Sequence, residues 1–106
     1  MLNSSRYSVI LFFIDGLGIG DKHVRNPLAQ IEQIEPLANF LNIDNSIVYD
    51  GILRPTDPRL GISGRPQSAS GQTTILTGVN APKLLGNHKQ GFPNAKLRDV
   101  IAENSI

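Results

Sequence analysis

At 106 residues, with 40% hydrophobic and 18% charged residues, the chain suffices for one small folded domain and is too apolar to be disordered by composition. Ten Lys plus Arg against nine Asp plus Glu leave a net charge of +1, and the basic residues are scattered. With no basic and aromatic stripe and no basic recognition helix, nucleic acid is excluded as an expected partner. Cysteine is absent, which excludes a disulfide scaffold and thiolate metal sites. The apolar run Val9–Ile14 is far shorter than the ~18 residues that span a bilayer and is followed by Asp15 rather than a cleavage site. No membrane partner is expected, and the default compartment is cytoplasmic.

In chain order, Tyr7–Ile14 (YSVILFFI) has no polar alternation across its second half, which suits a parallel strand covered on both faces. It runs into Asp15-Gly16-Leu17-Gly18-Ile19-Gly20-Asp21. A carboxylate at the carboxyl end of such a strand sits where ligands bind in α/β sheets. Asp15 is therefore a candidate ligand for Mg²⁺ or Mn²⁺, or for zinc in a mixed nitrogen and oxygen shell; the plain alternative is a turn cap. The glycines at 16, 18 and 20 do not follow the G-x-G-x-x-G spacing of a dinucleotide site.

Asn26-Pro27 reads as an N-cap followed by proline at the first helical position. Leu28, Ile31, Ile34, Leu37, Phe40 and Leu41 continue an apolar helical face that Pro36 interrupts, predicting two short helices or one kinked helix. Ile47–Leu53 predicts a second strand. Arg54–Gly64, with two prolines and two glycines, is a connection that Asp57 and Arg59 could fix, or in which both are simply solvated.

The chemistry concentrates in Gly64–Ala81, GRPQSASGQTTILTGVNA. The sequence predicts a loop feeding a short helix, with Ser70 as N-cap and Gly78 just beyond the last turn. A Ser68 hydroxyl would then stand ahead of unpaired helix amides, which favour an anion such as a phosphate or sulfate ester. Amides near Ser70, Gly71 and Gln72 would hold its nonbridging oxygens. The alternative is that Ser, Gly and Gln are ordinary loop residues. Further on, His88 lies in the turn-rich passage from Gly86 to Pro93, either in a phosphate-binding or metal-binding pocket or as a solvated loop residue; His23, beside the Asp15 turn, is open to the same two readings. Asn94–Asn104 predicts a last helix with Leu97, Val100 and Ile101 on its inner face and Arg98 and Asp99 outside.

A parallel α/β fold would bring Asp15 and Ser68 together, and a metal on Asp15 could lower the proton affinity of the Ser68 hydroxyl and lead to a phosphoserine intermediate. Two groups do not complete such a site, and the chain's two histidines form no H-x-x-x-H pair.

Asp15-Gly16-Leu17-Gly18, Asn26-Pro27, Pro66-Gln67-Ser68-Ala69-Ser70-Gly71-Gln72-Thr73 and Thr77-Gly78-Val79-Asn80-Ala81, with Gly86-Asn87-His88 and Gly91-Phe92-Pro93, resemble the amino-terminal part of metalloenzymes of the alkaline phosphatase and cofactor-independent phosphoglycerate mutase superfamily. The resemblance implies a doubly wound, mostly parallel α/β sheet with helices on both faces and two divalent metal ions, Mn, Zn or Mg. It makes Asp15 the first metal-binding aspartate and Ser68 the metal-bound nucleophile that becomes phosphorylated. Ser70, Gly71, Gln72 and His88 would contact a phosphate-ester small molecule. Mutase members commonly have histidine where this sequence has Gln72, which weighs against mutase activity and leaves phosphatase-like chemistry. Most remaining ligands of that superfamily come from a distant carboxyl-terminal segment. Residues 1–106 are thus expected to be the amino-terminal portion of a metalloenzyme domain, partnered by a carboxyl-terminal part. The alternatives are a non-catalytic interaction fragment and a small phosphometabolite-binding module.

Overall fold

A computed structural model of the chain describes residues 7–31, 40–41 and 51–106. The chain divides into two compact units, Met1–Pro55 and Thr56–Ile106.

In the first unit, Tyr7–Ile14 carries neither helix nor strand, and its large apolar side chains are exposed. Asp15 and Gly16 form a turn, with Gly16 at φ 74°, a left-handed conformation that a side chain would strain. Asn26 then organises the next stretch. Its Oδ1 accepts from the Leu28 amide at 3.1 Å, and its Nδ2 donates to the Asp21 carbonyl at 2.9 Å. The capped element is a single 3-10 turn, Pro27–Gln30, that begins on proline as the sequence predicts. The continuation of that apolar face through residues 32–39 lies outside the described residues. Farther along, the Leu41 amide donates to the Gly20 carbonyl at 2.9 Å.

The second unit opens on a turn fixed by Asp57. Its carboxylate accepts from the amides of Arg59 (2.9 Å) and Gly61 (3.2 Å), while its carbonyl accepts from Leu60 (3.1 Å). These bonds hold Leu60 at φ 53° and Gly61 at φ 76°. Three helices follow: α1 (Ser68–Thr77), α2 (Ala81–Leu85) and α3 (Ala95–Asn104). α1 ends on Gly78 in the left-handed conformation, its amide donating to the Thr74 carbonyl at 2.9 Å. Asn80 caps α2 by accepting from the Lys83 amide at 3.0 Å, and its Nδ2 reaches the Leu60 carbonyl at 3.0 Å, tying α2 to the Asp57 turn. Asn94 caps α3 through the Leu97 amide at 3.0 Å.

α1 packs against both α2 and α3. The core they enclose is small: Ala69, Ala81 and Leu97 are buried, with Leu85 packed on them and Ser70, Thr73 and Pro82 closing the gaps. Threonines fit this interior because their hydroxyls fold back on the helix: Thr73 Oγ1 donates to the Ala69 carbonyl at 2.7 Å, and Thr77 Oγ1 to the Thr73 carbonyl at 2.6 Å. As predicted for α3, Leu97 is fully buried, Val100 and Ile101 are half-buried, and Arg98 and Asp99 face solvent.

The expected doubly wound, mostly parallel α/β sheet with helices on both faces is not the fold. Among the described residues there are three short α-helices and one 3-10 turn, and no strand. Tyr7–Ile14 has the composition of a buried strand, but a strand exists only by pairing its backbone with a neighbour, and among the described residues Ser8–Ile14 make no backbone hydrogen bond. Of the second predicted strand, residues 47–50 lie outside the described residues, and Gly51, Ile52 and Leu53 are not in a strand.

Candidate functional site

The site is built on the first turn of α1. Gln67 precedes it in an extended conformation (φ −135°, ψ 153°), and no side chain caps the helix. Ser68 is therefore the first helical residue, and the predicted N-cap, Ser70, lies inside the helix. The start is earlier because the Gly71 amide finds the Gln67 carbonyl at 2.9 Å, closing the first turn over Ser68.

Of the amides a helix leaves unpaired at its start, that of Ser70 is taken by the Lys89 carbonyl at 3.3 Å. Among the described residues, the amides of Ser68 and Ala69 have no acceptor. The Ser68 side chain is exposed, and its hydroxyl likewise makes no hydrogen bond among the described residues. A free hydroxyl thus stands beside open amide donors at the positive end of a helix, an arrangement that favours an anionic group.

Ser70 behaves differently. It is fully buried, its Oγ accepts from the Lys89 amide at 3.0 Å, and it donates to the Gln67 carbonyl at 3.4 Å. That hydroxyl holds the segment around Lys89 against α1. No local sequence pattern points to Lys89, because the partners are 19 residues apart. Gly71 is half-buried with open space where a Cβ would point, and Gln72 is exposed. His88 is half-buried, its Nε2 3.1 Å from the Ile62 carbonyl. That acceptor calls for a proton on Nε2, and Nδ1 is buried and, among the described residues, without a hydrogen-bond partner. The imidazole also packs on Gly64, where a Cβ would stand 3.4 Å from His88 Cδ2. Ser68, Ser70, Gly71, Gln72 and His88 therefore share one unit, with Ser68 outward and with Ser70 and the ring nitrogens of His88 inward.

Asp15 belongs to the other unit, where it is exposed at the Asp15-Gly16 turn. His23, in the same unit, accepts from the Arg25 amide through Nδ1 at 3.1 Å and so stiffens a local turn. Among the described residues no three His, Cys, Asp or Glu side chains gather closely enough to hold a metal ion. Hard cations such as Mg²⁺ and Mn²⁺ take about six ligands, so the described residues do not by themselves fit a two-metal centre. No described helix is long and apolar enough to cross a membrane.

Comparison with protein-family profiles, with curated proteins and with solved structures finds no match to this chain.

Proposed function

We propose that the chain contributes the nucleophile of a metal-dependent phosphatase or phosphotransferase, with Ser68 attacking the phosphorus of a small phosphate ester in the cytoplasm. The observation that carries this reading is the outward Ser68 hydroxyl, unpaired among the described residues, beside the uncapped amides at the start of α1. The motif likeness around Pro66–Thr73 to the alkaline phosphatase and phosphoglycerate mutase superfamily adds to it.

The Ser68 Oγ–P bond forms as the ester P–O bond breaks, and the alcohol leaves with a proton. Water then releases phosphate, or a second hydroxyl accepts the phosphoryl group. The Ser68 and Ala69 amides are placed to donate to nonbridging oxygens as charge shifts onto them. Two divalent ions (Mn, Zn or Mg) belong to this reading with Asp15 as one ligand, the further ligands coming from outside the described residues, as from a carboxyl-terminal part of the same enzyme.

The test is hydrolysis of para-nitrophenyl phosphate with Mn²⁺, Zn²⁺ or Mg²⁺, by the chain alone and with any polypeptide that co-purifies with it. Turnover that falls to background in Ser68→Ala supports the assignment, and turnover unchanged by that substitution overturns it. A metal titration unaltered by Asp15→Asn removes Asp15 from the ligand set. The exposed apolar run Tyr7–Ile14 favours a second reading, a non-catalytic interaction piece.

A further inference from the structure

We propose that Tyr7–Ile14 is a self-association strand that pairs antiparallel with the same segment of a second copy of this chain. The inference goes beyond phosphoryl transfer and stands without it.

Three observations carry it. The first is exposure: Val9, Ile10 and Phe12 are 89%, 76% and 83% accessible, and Tyr7, Leu11, Phe13 and Ile14 are exposed as well. Such side chains lie in water in the single chain, and an equally apolar segment laid beside them removes part of that surface from it. The second is the backbone. Among the described residues, Ser8–Ile14 make no hydrogen bond, so a row of donors and acceptors is open to strand addition. An uncharged run rich in β-branched and aromatic residues, without Pro or Gly, is also the composition that self-pairs.

The third observation selects the partner and the direction. The segment is flanked by Arg6 and Asp15. Antiparallel pairing of Tyr7 with Ile14 of a second copy sets Val9 opposite Phe12 and Ile10 opposite Leu11. It also sets Arg6 opposite Asp15 at both ends. Tyr7 with Ile14 and Val9 with Phe12 are aromatic with β-branched pairs, which with the opposite charges stabilise adjacent strands, while Ile10 with Leu11 is aliphatic and Ser8 falls opposite Phe13. Parallel pairing would set Arg6 against Arg6 and Asp15 against Asp15, so the charge pattern is self-complementary in one direction only.

The experiment is sedimentation velocity of the full chain across a concentration series, with hydrogen exchange followed by mass spectrometry on the same samples. A concentration-dependent dimer is expected, with protection of the Ser8–Ile14 amides rising as it forms. Ile10→Lys, at the centre of the pairing, should weaken association about tenfold or more. Arg6→Asp should weaken it several-fold, and Asp15→Arg added to it should restore it to within about twofold. A chain that stays monomeric throughout overturns the proposal, including in favour of some other partner. So does a dimer whose Ser8–Ile14 amides stay unprotected, a readout needing no variant. A double charge swap no better than Arg6→Asp alone overturns the antiparallel pairing.

Discussion

Tyr7–Ile14 and the α1–α3 unit invert the usual relation between apolar content and burial. The first is almost wholly apolar and lies exposed, whereas the second closes its core with two alanines, one leucine, a proline, a serine and a threonine. What separates them is the fate of the backbone. α2 and α3 begin on an asparagine cap, and α1 and α2 end on a left-handed glycine, so local bonds satisfy the polar groups and let small side chains pack closely. The apolar run has no such local solution, because strand bonds must come from another segment. Burial follows from backbone satisfaction as much as from hydrophobicity.

The largest effect should come from the core. Leu97→Ala removes the one large aliphatic side chain that is fully buried among the described residues and should cost about 2–5 kcal/mol, enough to abolish cooperative urea unfolding in so small a unit. Phe12→Ala, measured by the same circular dichroism titration at dilutions where the chain is monomeric, should change stability by less than about 0.5 kcal/mol. Equal losses would break the contrast between the two regions. Asn80→Ala removes the α2 cap and the tie to Leu60 together and should cost roughly 1–2 kcal/mol. Gly78→Ala forces a side chain into a left-handed position and should cost about 1 kcal/mol. Smallest of all, Ser68→Ala should leave the unfolding midpoint unmoved, since its side chain touches nothing that the helix needs. A clear loss of stability there would make Ser68 a structural residue.

The features legible in the sequence are those settled by near neighbours. Asn26-Pro27 announces its turn, Gly78 the end of α1, and Asn94 the start of α3, each through a bond spanning a few residues. For Asp57 and Arg59 the sequence leaves fixing the connection and plain solvation equally open, and it is the Asp57 carboxylate that fixes the turn. The illegible features depend on distant partners. Period and composition describe what a strand at Tyr7–Ile14 would bury without saying whether another strand lies beside it. Serine is a good cap and so predicts the start of α1 at Ser70, but that hydroxyl is engaged by the Lys89 amide. At the site, the sequence located Ser68 at the mouth of a helix and could not tell its outward hydroxyl from the inward one of Ser70. For His88, the turn-rich surroundings leave a pocket residue and a solvated loop residue both open, and the structure gives its Nε2 to the Ile62 carbonyl.

The most direct test of the Ser68 assignment is tandem mass spectrometry of the chain quenched in acid after incubation with a phosphate ester and Mn²⁺, alone and with any polypeptide that co-purifies with it. The account predicts one added phosphoryl group, located on Ser68 and absent from Ser68→Ala. A phosphoryl group on another residue, or turnover without any adduct on Ser68, would contradict it.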